Sequence, residues 1–169
     1  FSMGRCLKNN GRKTDVLDFG GSLGVSWFKN RAFFEGLCGR YCVVEQKCVV
    51  ELGKEKVPEV EFYYTIEECL STGISRDVCL FSSVLQYLDN PMEMVDAILK
   101  AGFDNIIVDR ALFAADEVTP RIAIQYNNDG HGQYPINIMS REDVLSRILN
   151  SGYRLVAEWP SFDLMPVKI

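Results

Sequence analysis

An α/β domain with a mainly parallel central sheet of about seven strands, and helices on both faces, is the fold class the sequence predicts. Strand-like and helix-like patterns alternate from residue 14 onward, and the first strand-like run ends in a glycine-rich turn that opens a helix. The chain has 169 residues, 47% hydrophobic and 24% charged, which suits one core that needs no covalent staples. Residues 1–169 are therefore read as a single domain.

The run TDVLDF (14–19) is the first strand and GGSLG its exit. Leu23, Trp27, Phe28, Phe34 and Leu37 then recur at roughly helical spacing within 22–37. RYCVVE (40–45) is a second buried strand, followed by a helix over QKCVVELGKEK that ends ahead of Pro58. EFYY (61–64) is the third strand. Thr65 and Glu68 have the spacing of a capping box, which starts a short helix over 66–72. DVCLFSS (77–83) is the fourth strand, Asn90, Pro91 and Glu93 open a helix that runs to Gly102, and DNIIVD (104–109) is the fifth strand.

The texture then changes. RIAIQYN (121–127), a loop NDGHGQ (128–133) and YPINIM can pair as a hairpin, so residues 114–139 read as an insertion between core elements. Ser140 and Asp143 cap another helix, with Val144, Leu145, Ile148 and Leu149 inward and Gly152 at its end. YRLVAEW (153–159) is expected as a sixth core strand, and FDLMPVKI as a last antiparallel edge strand in which Pro166 is tolerated.

A net charge of -5 does not advertise the cationic face that nucleic-acid phosphates require, so no nucleic-acid partner is expected. No run of 18 or more apolar residues and no signal-peptide pattern is present, and the expectation is a cytoplasmic chain without a membrane partner. The chain opens at Phe1 rather than Met, as a trimmed piece would. Six cysteines lack any C-x-x-C pair and fall mostly in apolar segments, which favours buried free thiols. A single histidine excludes a zinc site of several imidazoles, and no metal is expected.

The stretch VLDFGGSLG (16–24) places Asp18, Phe19, Gly20, Gly21 and Gly24 at the carboxyl end of the first strand, where ligands of open α/β sheets bind. Glycines allow a tight turn and close approach of a ligand to the backbone, and amides at the following helix start can meet a carboxylate. Asp18 can then face an ammonium group. The bland reading is a strand-to-helix turn capped by Ser22. Glu45 closes the second strand, 21 residues beyond Gly24, where such sheets face a ribose, and a carboxylate there can accept from both hydroxyls. The dinucleotide fingerprint G-x-G-x-x-G is absent, and an acid two residues ahead of Gly20 would repel a pyrophosphate. S-adenosylmethionine, with a ribose, an ammonium and a carboxylate, suits these groups better than a nicotinamide dinucleotide.

DFGGSLG, CVVEQ, FYYTIEECL, DVCLFSSVLQYLDNP and NIIVDR, in that order, resemble a group of class I S-adenosylmethionine-dependent methyltransferases found among bacterial surface-polysaccharide genes. The similarity spans most of 14–159 and implies a Rossmann-like class I methyltransferase fold with S-adenosyl-L-methionine as cofactor. By that resemblance Asp18, Gly20, Gly21 and Gly24 match the cofactor loop and Glu45 the ribose acid. Tyr64 and Thr65 would lie near the adenine, and Ser82, Ser83 and Leu85 in the segment beside the cofactor.

Methyl transfer from a sulfonium depends mainly on orientation. A hydroxyl acceptor also needs its proton removed, and the candidates are Asp109 and His131, with Arg110 available to hold an anionic acceptor. His131 reads equally as a solvated loop histidine, and Asp109 and Arg110 as strand-end polar residues. Gln86 and Tyr87 are candidate pocket residues. The expected activity is methyl transfer to a small polar acceptor, a sugar or nucleotide-sugar, near which the 114–139 insertion would lie. A short segment ahead of residue 14 and the lack of an unmistakable base leave a non-catalytic cofactor-binding domain as the alternative, with an NAD(P)-dependent oxidoreductase as the third reading.

Overall fold

β1 (Thr14–Phe19) is the middle strand of a five-stranded sheet in the order β3-β2-β1-β4-β5. The other strands are β2 (Cys38–Val44), β3 (Glu61–Tyr63), β4 (Val78–Ser82) and β5 (Asn105–Asp109), and every neighbouring pair is parallel. These features belong to a computed structural model that describes residues 6, 12–114, 121–126 and 132–160. Parallel strands covered on both faces need apolar residues without alternation, and Val16 and Leu17 in β1, Cys42 and Val43 in β2, and Val78 and Cys79 in β4 are all fully buried. Burial pushes the Cys38 thiol up to about 12 and the Cys79 thiol well above its ordinary value, as inert structural cysteines require.

Two compact units divide the chain: Phe1–Ser82 with Ala101–Asp109, and Ser83–Lys100 with Arg110–Ile169. The first unit holds the parallel sheet and the helices α1 (Val25–Phe34), α2 (Lys47–Lys56) and α3 (Ile66–Ser71). Trp27 and Phe34 bring α1 onto the core cluster through Tyr41, whereas Phe28 and Leu37, expected inside, are more than 40% exposed. Gly53 lets α2 lie close on β3, since a Cβ there would stand 2.6 Å from the Phe62 ring. The Thr65 cap that starts α3 forms as expected, with Thr65 Oγ1 accepting from Glu68 N at 3.1 Å, while Glu68 Oε2 accepts from Tyr64 N at 2.8 Å.

Ionic contacts fix the amino edge of this sheet. Asp15 accepts from Arg40 N and Ser75 N at 2.9 Å each, and Asp77 accepts from Asp15 N at 2.8 Å and from the Arg12 guanidinium. Burial alone would raise the Asp77 carboxyl, but Arg12 and the Asp15 amide outweigh it and hold the group below its ordinary value. Arg40 forks onto Glu61 at 2.8 and 2.6 Å and holds its carboxyl down in the same way. Gly39 leaves room for this latch, because a Cβ there would lie 2.5 Å from Asp15 Oδ1.

The second unit contains a 3-10 turn (Leu85–Tyr87), α4 (Pro91–Ala101, whose last residue falls in the first unit), the strands β6 (Arg121–Tyr126) and β7 (Gln133–Ile138), and α5 (Arg141–Asn150). β6 and β7 pair antiparallel from Arg121↔Ile138 to Tyr126↔Gln133, so the expected hairpin forms. Ser140 caps α5 by accepting from Asp143 N at 3.1 Å.

Among the described residues the sheet has five strands and not about seven. Residues 153–160, expected as a sixth core strand, pair with no strand among the described residues, and Leu155, Val156 and Trp159 stay exposed. Branched and aromatic side chains suit a strand only where a neighbour supplies the ladder and a surface to pack on, and residues 154–160 all stay exposed. The expected edge strand at 162–169 lies outside the described residues, as does most of the hairpin loop.

Candidate functional site

Strand order in the first unit reverses at β1, whose neighbours β2 and β4 carry chain leading to opposite sides. In open α/β sheets the carboxyl edge beside such a strand is the ligand crevice. The first unit places there the exits of β1 (Phe19 to Ser22), β2 (Glu45), β3 (Tyr64, Thr65), β4 (Ser82) and β5 (Asp109).

The β1 exit is built around one buried carboxyl group. Asp18 is 0% exposed, and its Oδ2 accepts from the Tyr41 hydroxyl at 2.7 Å. A Cβ on Gly21 would stand 2.5 Å from that same oxygen, so the glycine leaves the space the carboxylate occupies. Burial first, and the Asp18 charge second, push the Tyr41 hydroxyl well above the ordinary tyrosine value and keep it a donor at neutral pH. Gly20 and Gly24 have φ of 71° and 81°, the left-handed region that glycine enters at little cost. Gly24, and not Ser22, occupies the N-cap of α1, and Ser22 itself is left-handed at φ 52°.

Glu45 meets this loop. Its Oε1 accepts from Ser22 N at 3.1 Å and its Oε2 from Gln46 N at 2.7 Å, while its own amide donates to Tyr63 O at 3.1 Å. A carboxylate offers about four lone-pair sites, so two amides do not fill its acceptor capacity. At the neighbouring strand end Tyr64 is half-exposed, with Lys54 Nζ 4.6 Å from its ring centroid and Tyr64 N donating to Glu68 Oε2 at 2.8 Å. Ser82 Oγ donates to Asp109 Oδ2 at 3.0 Å across paired ends of β4 and β5. Phe19 packs its ring against Phe81, 5.7 Å between centroids.

The remaining expected residues belong to the second unit. Ser83 and Arg110 are both left-handed, at φ 57° and 52°, and Leu85 is buried. Gln86 Nε2 donates to Ser83 Oγ at 3.2 Å and to the Arg110 carbonyl at 3.3 Å. Tyr87 packs edge-on to Tyr134, with 5.6 Å between centroids, and His131 lies outside the described residues. Among the described residues no group of three His, Cys, Asp or Glu side chains is arranged to hold a metal ion, and no helix is long and apolar enough to cross a membrane.

Sequence reasoning missed Tyr41 and the amide of Ser22. Tyr41 had one usable signal, since a tyrosine within a buried strand needs a partner for its hydroxyl. Ser22 had none, because its left-handed backbone is a property of the folded turn.

This edge, with the order 3-2-1-4-5, defines a Rossmann-like α/β fold. Solved structures share it. The S-adenosylmethionine-bound CalS10, an amino pentose methyltransferase from Micromonospora echinaspora involved in calicheamicin biosynthesis, matches with a TM-score of 0.53 and 12% identity over 89% of this chain and 79% of that one. The glycopeptide N-methyltransferase MtfA complexed with S-adenosyl-L-methionine matches with a TM-score of 0.54 and 11% identity over 92% and 84%. The PH0226 protein from Pyrococcus horikoshii OT3 matches with a TM-score of 0.53 and 14% identity over 85% and 75%. At these identities the likeness establishes a common fold. No protein-family model matches the sequence, and neither does any curated protein.

Proposed function

We propose that the chain is an S-adenosylmethionine-dependent methyltransferase acting on a small polar acceptor of the sugar or nucleotide-sugar class. One observation carries the reading: Glu45, at the tip of β2, reaches the glycine loop of β1 and keeps lone pairs to spare. A ribose diol is the ligand group that matches an acid so placed. The donor set fits the cofactor in its other parts. Amides of the loop and of the α1 start suit a carboxylate. Asp18, fully buried against Gly21, shapes that loop and offers no open face for an ammonium. Tyr64 offers a half-exposed ring for an adenine. Ser83 and Leu85 enter the proposal through the sequence resemblance.

When bound, the cofactor supplies a methyl group already activated on a sulfonium. The chain's own residues have to orient the acceptor and take its proton. Asp109 is the proposed base, and the Ser82 hydroxyl donating to Oδ2 holds the carboxylate in place. Arg110 is proposed to hold an anionic acceptor.

Calorimetric titration with S-adenosylhomocysteine, followed by turnover on a panel of amino sugars and nucleotide sugars, tests the reading. Binding with turnover supports it. Binding without turnover on any acceptor leaves a cofactor-binding domain without catalysis, and NADH binding without affinity for S-adenosylhomocysteine replaces it with an oxidoreductase.

A further inference from the structure

A cavity of about 410 Å³ opens in the second unit, and every residue that lines it belongs to that unit. Its volume falls in the roughly 300 to 1,000 Å³ range of small-molecule sites. Local topology forms it. The register of β6 on β7 sets Arg121 opposite Ile138, and β7 runs through Met139 into Ser140, the cap of α5. Asn137 Nδ2 donates to the Leu88 carbonyl at 2.7 Å, which ties the hairpin to the segment that leads into α4. The Met139 backbone is held as well, its amide donating to Leu112 O at 3.0 Å and its carbonyl accepting from Ala114 N at 2.8 Å. The walls are thus fixed by the chain's own hydrogen bonds.

The lining has an apolar part and a charged part. Ile138 and Met139, 8% and 5% exposed, contribute to the first with Met92. The second consists of Glu93 in the first turn of α4, Asp143 in the first turn of α5 and Arg121 at the start of β6. None of these three side chains has an ionic or hydrogen-bonded partner among the described residues. Acids in a first turn complement the helix dipole, but that leaves Arg121 unaccounted for. Elsewhere in this unit guanidinium groups close on acids, Arg141 on Glu158 and Arg147 on Asp96, at 2.6 Å each. Around the cavity, charges of opposite sign stand unpaired.

Two acids against one guanidinium leave the lining net negative, which disfavours phosphates and other multiply charged anions. An ammonium satisfies the acids, and a carboxylate matches the guanidinium fork. We infer that the cavity binds a small zwitterion with an apolar body, of the α-amino-acid type. Glu93 and Asp143 hold its ammonium, Arg121 its carboxylate, and Met92, Ile138 and Met139 its side chain. This inference does not rest on the methyltransferase reading, because no residue of the first unit takes part.

Calorimetric titration of the full chain with L-leucine gives a Kd of about 1 mM or tighter. N-acetyl-L-leucine lacks the ammonium and 3-methylbutan-1-amine lacks the carboxylate, and each binds about tenfold more weakly or worse. Arg121→Gln lowers leucine affinity about tenfold and leaves the amine within about twofold, whereas Glu93→Gln combined with Asp143→Asn weakens both ligands. All three substituted side chains are exposed, so the variants keep their urea midpoints. Absence of heat and of amide chemical-shift changes at about 10 mM L-leucine overturns the site. An amine that binds the wild type as well as leucine does overturns the role of Arg121 and with it the zwitterion. Leucine affinity that stays within about twofold of the wild type in both variants places the ligand elsewhere and overturns the assignment.

Discussion

Adding one carbon to Gly21 tests how the glycine loop is built. An ideal Cβ there stands 2.5 Å from Asp18 Oδ2 and 2.6 Å from its Cγ, roughly 1 Å inside the usual non-bonded separation. Gly21 is not among the glycines at positive φ, so alanine meets no backbone penalty and gains roughly 0.4 to 1 kcal/mol from a less disordered unfolded chain. Against that stands overpacking at about 1 to 3 kcal/mol. The upper end applies, because the carboxylate is fully buried and cannot swing aside without losing the Tyr41 hydroxyl, a bond to a charged group worth roughly 1.5 to 3 kcal/mol. Gly21→Ala is therefore expected to cost about 2 kcal/mol. Urea unfolding followed by Trp27 fluorescence reads this as a midpoint lowered by roughly 1 M at an unchanged slope. In an Asp18→Ala background the same change costs a few tenths of a kcal/mol, because the clashing atoms are gone, and the coupling approaches about 1.5 kcal/mol. Additivity within about 0.5 kcal/mol would mean that the loop yields in some other way, and the account of Gly21 would be wrong.

Glu45→Ala is expected to weaken S-adenosylhomocysteine binding by about 2 to 3 kcal/mol through the loss of two ribose contacts, and an unchanged dissociation constant by calorimetry removes Glu45 from the site. Gly53→Ala gains about 1 kcal/mol of helix propensity but drives a carbon to 2.6 Å from the Phe62 ring. Overpacking wins, and the net loss is about 1 kcal/mol, where a stabilised variant in thermal melts would refute the close approach of α2 to β3. The Glu61 carboxyl, held by Arg40 below its ordinary value, stabilises the fold above the unfolded-state pKa of about 4.3, and that contribution is lost as pH falls through the folded value. Glu61→Gln is accordingly less stable at pH 7 and loses less between pH 7 and 3; parallel pH profiles of the two proteins count against the pairing.

What could be read from the sequence was what short-range chemistry determines. The side-chain caps at Thr65 and Ser140 form between residues three apart, and both bonds are present at 3.1 Å. The buried run of β1 and the left-handed glycines at its exit follow from the same local logic. The errors lie where a partner distant in sequence decides. YRLVAEW has the composition of a strand, but among the described residues no strand pairs with 153–160. Asp18 was readable as an acid at the ligand edge, yet its burial depends on Tyr41, a residue 23 positions away that register places on the next strand. Phe28 and Leu37 fit a helical stripe and remain exposed, because α1 ends at Phe34 and turns only Trp27 and Phe34 onto Tyr41.

The acids of the first unit divide by what satisfies them, and the division bears on which of them is available to a ligand. At the amino edge, Asp77 and Glu61 are each gripped by a guanidinium, from Arg12 and Arg40, so their charge is spent inside the fold. Glu45, at the carboxyl edge, is satisfied by two neutral amides and pairs with no cation among the described residues. Its charge is uncompensated at the strand tip beside the glycine loop, where a diol or a cationic group gains most from it. A cation engineered beside it, Ser22→Lys, should therefore compete with the ligand and weaken S-adenosylhomocysteine binding. The same residue placed near Glu61 would find that acid already occupied and leave binding unchanged.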